Sequence, residues 1–325
     1  MRTLFLHVGH AKTGSSFLQS SFALSRPALR QADIAYLSHG AVEKAAKGAM
    51  TNGNGGTLIG ALNNPVRGWL MATRLRLKGG NALFRSEFLF HRLSRRGGAA
   101  QVSHIARGAG FGRISILLFI RDPFDHLPSL YQQRVKRSGY TGDIETLAED
   151  YDYPRQVARF LRRIGREPTV EITIANYSRR RRRLTDVTSV WLGLPNDALT
   201  KPEMPRINRS LTSDELEAQR LFNAKFGSSG RMVSDVLSRR LPEIEAEYDL
   251  PSAPAGSAML ARLRKPMRFV NRQAPVGERY TMEVPALPPE PAAAPKPDDV
   301  IALTRAQWEA VVEGVAKEVT RRSRS

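Results

Sequence analysis

The sequence predicts an α/β protein of three layers, α/β/α, with a central parallel sheet. Apolar, β-branched runs recur at 3–8, 34–37, 82–85, 114–120 and 170–175. Each has the length of a buried strand and is too short to span a membrane. The stretches between them are long enough for helices, and strands alternating with helices build parallel sheets covered on both faces. A polar loop at 9–16, Glu87 and Arg121 each follow a strand directly. Ligands in such sheets sit beyond the carboxyl ends of the strands, so these residues are expected at one edge.

Thr3-Leu4-Phe5-Leu6-His7-Val8 reads as the first strand. Phe17, Leu18, Phe22 and Leu29 give helical spacing over 14–30, with Pro27 set to end or kink the helix. Ile34-Ala35-Tyr36-Leu37 is the second strand. Residues 48–60, with five glycines and two asparagines, read as a flexible polar loop. Ala82-Leu83-Phe84-Arg85 is the third strand, and Ile114-Ser115-Ile116-Leu117-Leu118-Phe119-Ile120 the fourth. Pro123 suits the first turn of the helix that follows. Residues 143–164 read as helical, and Val170-Glu171-Ile172-Thr173-Ile174-Ala175 alternates as a fifth strand. The five-arginine run 179–183 opens a further helix. Beyond 226 the pattern fades into a mainly helical extension, with 231–250 helical. Proline and alanine make 285–298 a linker, and 299–325 a basic terminal helix with Ile301, Trp308, Val311, Val312 and Val315 apolar. The expected organisation is a core over 1–225, an extension over 226–284, the linker and the terminal helix.

The loop Gly9-His10-Ala11-Lys12-Thr13-Gly14-Ser15-Ser16 joins strand to helix through glycines, the arrangement that turns backbone N–H groups toward a phosphate. A nucleoside triphosphatase loop reads G-x-x-x-x-G-K-[ST]. Here lysine precedes the second glycine and two serines follow it. This order argues against an ATP or GTP site and for another phosphorylated donor. The fourth strand ends in Arg121-Asp122-Pro123, and Ser129 stands eight residues after Arg121.

Lys12-Thr13-Gly14-Ser15-Ser16 resembles the 5′-phosphosulfate loop of the sulfotransferases that use 3′-phosphoadenosine-5′-phosphosulfate, PAPS. The Arg121…Ser129 pair, opened by Arg-Asp-Pro, resembles their 3′-phosphate motif. Asn208-Arg209-Ser210-Leu211 resembles a segment that follows the core in bacterial carbohydrate-type members. The resemblance covers residues 1–225 and implies a fold like that of the P-loop NTPases. It implies PAPS as donor cosubstrate, held by Lys12, Thr13, Gly14, Ser15, Ser16, Arg121, Ser129, Arg209 and Ser210. Lys12 would stabilise the leaving phosphate and Glu87 would be the general base toward a hydroxyl of a carbohydrate, polysaccharide or glycolipid. His7 and His10 are the fallback bases. Read as residues alone, Lys12 also suits a surface turn, Arg121 an ion pair with Asp122 or Asp125, Glu87 a partner for a nearby arginine, and 206–210 a plain surface loop.

The 325 residues hold no cysteine, which removes disulfides, thiolate zinc sites and a cysteine nucleophile. The six histidines show no H-x-x-x-H spacing, so no metal is expected. Net charge is +19, which attracts anions at long range. The 179–183 run is a solvated face or a contact for an acidic acceptor or membrane headgroups. No signal-peptide pattern is visible, and a cytoplasmic protein, peripheral to the inner face of the membrane, is the expectation. Two rivals stand beside the sulfotransferase: a P-loop kinase for a small metabolite, and a basic nucleic-acid-binding or scaffold protein on the same fold. The kinase needs the G-K-[ST] order. Nucleic-acid binding needs aromatics interleaved with cations, which the arginine run lacks. Nucleic acid is therefore the less favoured partner.

Overall fold

The computed structural model describes residues 1–37, 54–203, 209–245, 248–285 and 300–323. The chain forms two compact units, each assembled from separated segments. The first comprises Met1–Pro123, Asp152–Met204 and Leu263–Met282, the second Phe124–Tyr151, Pro205–Arg262 and Glu283–Ser325. The linear division at 225 and 284 expected from composition is thus cut across by units that interleave along the chain.

The first unit carries a five-stranded sheet, all parallel, in the order β2-β3-β1-β4-β5. The strands are β1 Thr3–Gly9, β2 Ile34–Tyr36, β3 Asn81–Arg85, β4 Arg113–Ile120 and β5 Val170–Asn176. They are the five runs the sequence marked, each differing by one residue at one end. β1 lies at the centre and all seven of its residues are buried. A strand covered on both faces selects a continuous apolar run, which is why β1 and β4 are so legible. β5 is an edge strand, and its first four residues alternate between half-buried and exposed.

One face of the sheet packs Phe5, Leu83, Leu117 and Phe119 against Leu18, Phe22 and Trp191. The Trp191 ring meets Phe5 edge to face at 5.3 Å and its Nε1 donates to Ser115 Oγ at 2.8 Å. Elsewhere in this unit Phe90 and Phe160 stack at 5.2 Å.

Several local expectations are corrected. The helix expected over 14–30 is two, Ser15–Leu24 and Arg26–Gln31. Pro27 falls in the first turn of the second, where its missing N–H has no intrahelical partner to lose. Residues 48–53 of the expected glycine loop lie outside the described residues, whereas Gly55–Leu62 is a helix that buries Leu58, Ala61 and Leu62. Gly55 is there for contact, because a Cβ would come within 2.5 Å of Ser86 Cβ and 2.9 Å of the Arg85 carbonyl oxygen. The stretch 143–164 divides into Ile144–Asp150 and Tyr153–Ile164, with Pro154 at the second start. Among the described residues of 231–250 only Arg231–Arg240 is helical. Helices Pro65–Lys78, Glu87–Leu93, Gly98–Gly108 and Ala253–Gln273 were not anticipated as separate elements.

The second unit is helical. Arg209, almost wholly buried, holds Glu215 through two bonds of 2.6 Å. Glu215 also closes a capping box with Thr212 at the start of Ser213–Phe226 and accepts from Gln307 Nε2 at 2.9 Å. Gln307 belongs to the terminal helix Arg305–Arg322, so the tail docks here. Ala310 and Val311 are buried, and Gly314 lets the helix approach the Val233 backbone. Most of the linker, 286–298, lies outside the described residues.

Candidate functional site

The strand order fixes where a ligand crevice opens. From β1 the chain passes to β2 and β3 on one side of it, whereas β4 and β5 lie on the other. The loops after β1 and β4 therefore leave in opposite directions, and a crevice opens beyond the carboxyl ends of these neighbours. The loop Gly9–Gly14 follows β1 and Arg121 follows β4. The Arg121 Nη1 donates to the Lys12 carbonyl at 2.8 Å, and its guanidinium lies over the Tyr177 ring at 5.0 Å from the centroid.

The loop is tightly shaped. Lys12 has φ 63 and Gly14 φ 77, both left-handed. For lysine that conformation costs about 1–2 kcal/mol, strain of the kind that ligand-binding loops hold. Gly14 admits no side chain, since a Cβ would come within 2.6 Å of Leu184 Cδ1 and 2.9 Å of Tyr177 Cε2. Thr13 Oγ1 donates to the His10 carbonyl at 2.8 Å, which ties the turn together. Gly14 caps the helix Ser15–Leu24 without a side-chain acceptor, and the first turn of that helix holds no acid. Its first N–H groups lack intrahelical acceptors by construction and attract anions. Thr13 Oγ1, Ser15 Oγ and His7 Nε2 surround the place where Gly9 would carry a Cβ, at 3.0, 3.4 and 3.8 Å. Ser15 Oγ is buried and makes no hydrogen bond among the described residues. An unmet hydroxyl at an uncapped helix start, beside a lysine, suits a phosphate or sulfate oxygen.

Glu87 opens the helix Glu87–Leu93, whose start is capped by Ser86 Oγ accepting from Phe88 N. Its carboxylate is part-exposed and lies 3.9 Å from Arg85 Nη2. The expected pairing with an arginine is present. It also fixes the carboxylate near the end of β3, the strand beside β1. Arg85 is buried and donates to Gln19 Oε1 at 2.8 Å. Burial lowers its pKa, against the opposing pull of Glu87 and Tyr36.

Both fallback bases are buried. His7 is buried between Phe22 and Phe119, and neither ring nitrogen has a partner among the described residues. Burial, reinforced by the Arg85 charge, pushes its pKa down to about 3. His10 Nδ1 lies 3.0 Å from the Ala11 carbonyl, and burial lowers its pKa to about 4 despite that bond. Both rings are neutral near pH 7.

The first unit thus brings together Lys12, Thr13, Gly14, Ser15, Ser16, Arg121 and, at the same sheet edge, Glu87. Ser129, half-buried on the helix Pro123–Ser138, belongs to the second unit, as do Arg209 and Ser210. Asn208 and Arg206 lie outside the described residues. Expecting Arg209 on a nucleotide finds no support in its surroundings. Beyond the Glu215 pair, its Nε donates to the Leu241 carbonyl at 2.5 Å and its Nη1 to that of Ser210 at 2.9 Å. Ser210 Oγ reaches Tyr248 at 3.3 Å.

The arginine run is only partly a solvated face. Arg180 pairs with Glu278 at 2.6 Å, and Arg179 donates to the Arg279 carbonyl and lies 3.9 Å from Asp122. Arg183 pairs with Asp186, while Arg181 and Arg182 are exposed. Asp122 accepts from Asn176 Nδ2 at 3.0 Å and from Thr281 N at 2.9 Å. The segment 278–281 therefore straps the ends of β4 and β5, a long-range tie with no local signal in sequence. Tyr177 and Arg85 were also missed. Tyr177 directly follows β5, so the strand-end rule that picked out Arg121 would have found it.

Comparison with protein-family models, with curated proteins and with solved structures returns no match. Among the described residues no group of three or more histidines and acids is placed to hold a metal ion, and no helix is long and apolar enough to cross a membrane.

Proposed function

We propose that the protein is a sulfotransferase on a P-loop-like fold, moving a sulfuryl group from PAPS to a hydroxyl of a carbohydrate or glycolipid. The carrying observation is the meeting of the Lys12 loop and Arg121 where the strand order reverses. The lysine-first loop, read with the resemblance of its residues to the 5′-phosphosulfate loop, favours this donor over ATP.

In this reading the N–H groups of the Ser15–Leu24 helix start and the Ser15 and Ser16 hydroxyls bind the 5′-phosphate. Arg121 takes the 3′-phosphate, for which a guanidinium fork is suited. The acceptor oxygen forms its bond to sulfur as the bridging S–O bond breaks, and the hydroxyl proton passes to the Glu87 carboxylate. The leaving phosphate gains negative charge beside the Lys12 ammonium. As in phosphoryl transfer, the protein mostly positions groups and stabilises charge. Glu87 is preferred to His7 because a buried imidazole with a pKa near 3 is a weak base.

The test is thermal stabilisation by 3′-phosphoadenosine-5′-phosphate against ADP and ATP, in wild type and Arg121→Ala. A ligand at about 100 times its dissociation constant stabilises by about 2.7 kcal/mol, a shift of several degrees. The reading requires preference for the 3′-phosphorylated nucleotide, lost in the variant. An equal response to ADP, or none to any nucleotide, overturns it.

A further inference from the structure

The helix Pro65–Lys78 is apolar on two opposite faces. Gly68, Ala72 and Leu75 are buried. They pack on the helix Gly98–Gly108, where a Cβ on Gly68 would lie 3.6 Å from Ile105 Cδ1 and one on Gly108 3.3 Å from Ala72 Cβ. The outward side carries Val66 at 66% exposure, Trp69 at 66%, Leu70 at 53% and Leu77 at 85%. At about 100° per residue these four fall within an arc of about 100°, centred opposite the buried face. A helix needs one apolar face to join its own fold; among the described residues the second stripe is left exposed.

The flanks of the outer stripe are cationic. Arg67, Arg74 and Lys78 lie along one side and Arg76 along the other, all exposed. No Asp or Glu occurs in the helix or anywhere in 54–86. At its carboxyl end the helix meets a concavity of about 310 Å³ lined by Arg26, Arg30, Lys78, Asp33 and Tyr36, a net-cationic recess. A tryptophan and aliphatic side chains between rows of arginine and lysine are the composition of helices that lie in the membrane interface. With 14 residues the helix rises about 21 Å, too short to span a bilayer lengthwise.

We infer that the outer face of Pro65–Lys78 docks on an anionic phospholipid surface, with Trp69, Leu70 and Leu77 entering the headgroup–acyl boundary and the flanking cations binding lipid phosphates. Charge complementarity favours this occupant over a protein groove. The inference rests on this helix and the recess at its carboxyl end, and stands whether or not the sulfotransferase reading holds.

The experiment is co-sedimentation of the full chain with vesicles of phosphatidylcholine alone and of phosphatidylcholine mixed with phosphatidylglycerol, at low and high salt. Binding to the anionic vesicles, weakened by salt, is expected. Leu70→Ser and Leu77→Ser each take an apolar side chain out of the headgroup–acyl boundary and should weaken partition about tenfold. Arg74→Glu with Lys78→Glu should weaken it at least as much. Reversing the exposed Arg181 and Arg182 should change it little, which separates this face from general basicity. Because the altered side chains are exposed, unchanged melting temperatures are expected and verify folding. Brominated lipid should quench tryptophan emission, and Trp69→Leu should remove most of that quenching. Absence of vesicle binding overturns the inference, as does equal loss on reversing Arg181 and Arg182. So does a dimer, dissociated by Leu77→Ser, that excludes vesicles; a second copy would then cover the stripe.

Discussion

Replacing Gly14 by alanine tests the loop geometry with a magnitude that the structure supplies. Alanine at φ 77 carries the left-handed penalty of about 1–2 kcal/mol. Its Cβ also enters the space of Leu184 Cδ1 at 2.6 Å and Tyr177 Cε2 at 2.9 Å, an overpacking worth about 1–3 kcal/mol. The sum is about 2–5 kcal/mol. Gly193 provides the control: its φ is 73, but nothing lies within 4 Å of a Cβ there, so alanine carries the backbone penalty alone. For a unit of about 200 residues, 1 kcal/mol corresponds to roughly 2–4 °C in Tm. Differential scanning calorimetry should place Gly193→Ala about 2–8 °C below wild type and Gly14→Ala lower still, with nucleotide stabilisation lost only in Gly14→Ala. Equal melting of the two variants would refute the close nesting of the loop against Tyr177 and Leu184.

Three further outcomes are expected. Arg209→Leu strands the buried Glu215 carboxylate and should destabilise the second unit by about 3–5 kcal/mol, read by urea unfolding, while nucleotide still stabilises the first unit; loss of nucleotide affinity without loss of stability would return Arg209 to the nucleotide. Glu87→Gln should reduce transfer about 10²–10⁴-fold with 3′-phosphoadenosine-5′-phosphate affinity retained; undiminished transfer in single-turnover assays would exclude it as the base. His7 is neutral in the fold down to about pH 3 but titrates near 6.5 when unfolded. The unfolded chain therefore binds the extra proton, and stability falls as pH drops below 6.5, by up to about 1.4 kcal/mol per pH unit from this group. His7→Leu should flatten the melting profile between pH 6 and pH 4 (about the range set by these pKa values), and an unchanged slope would contradict the buried neutral ring.

The strands were legible because a parallel sheet covered on both faces demands unbroken apolar runs, as in β4. The loop and Arg121 were legible because their chemistry is local and lies at strand ends. The helix Gly55–Leu62 was hidden by its glycines, of which Gly55 serves a close approach to Ser86 rather than a turn. Pro65–Lys78 was overlooked because apolar residues on two faces erase the single-face period that marks a helix. Arg209 looks like a ligand in sequence, and only the arrival of Glu215 six residues later and of Gln307 from the terminal helix reveals a structural pair. The strap at 278–281 joins residues 98 to 159 positions apart, beyond any local pattern.

In the proposed sulfotransferase the β1 loop and the end of β4 form one nucleotide site. Hydrogen exchange of the full chain with and without 3′-phosphoadenosine-5′-phosphate tests it directly. Slowed exchange in peptides covering 10–18 and 119–123, with Glu87–Leu93 little changed until an acceptor is added, is the expected result. Saturating nucleotide that leaves 10–18 unprotected, or protects only segments away from the carboxyl ends of β1 and β4, would contradict it.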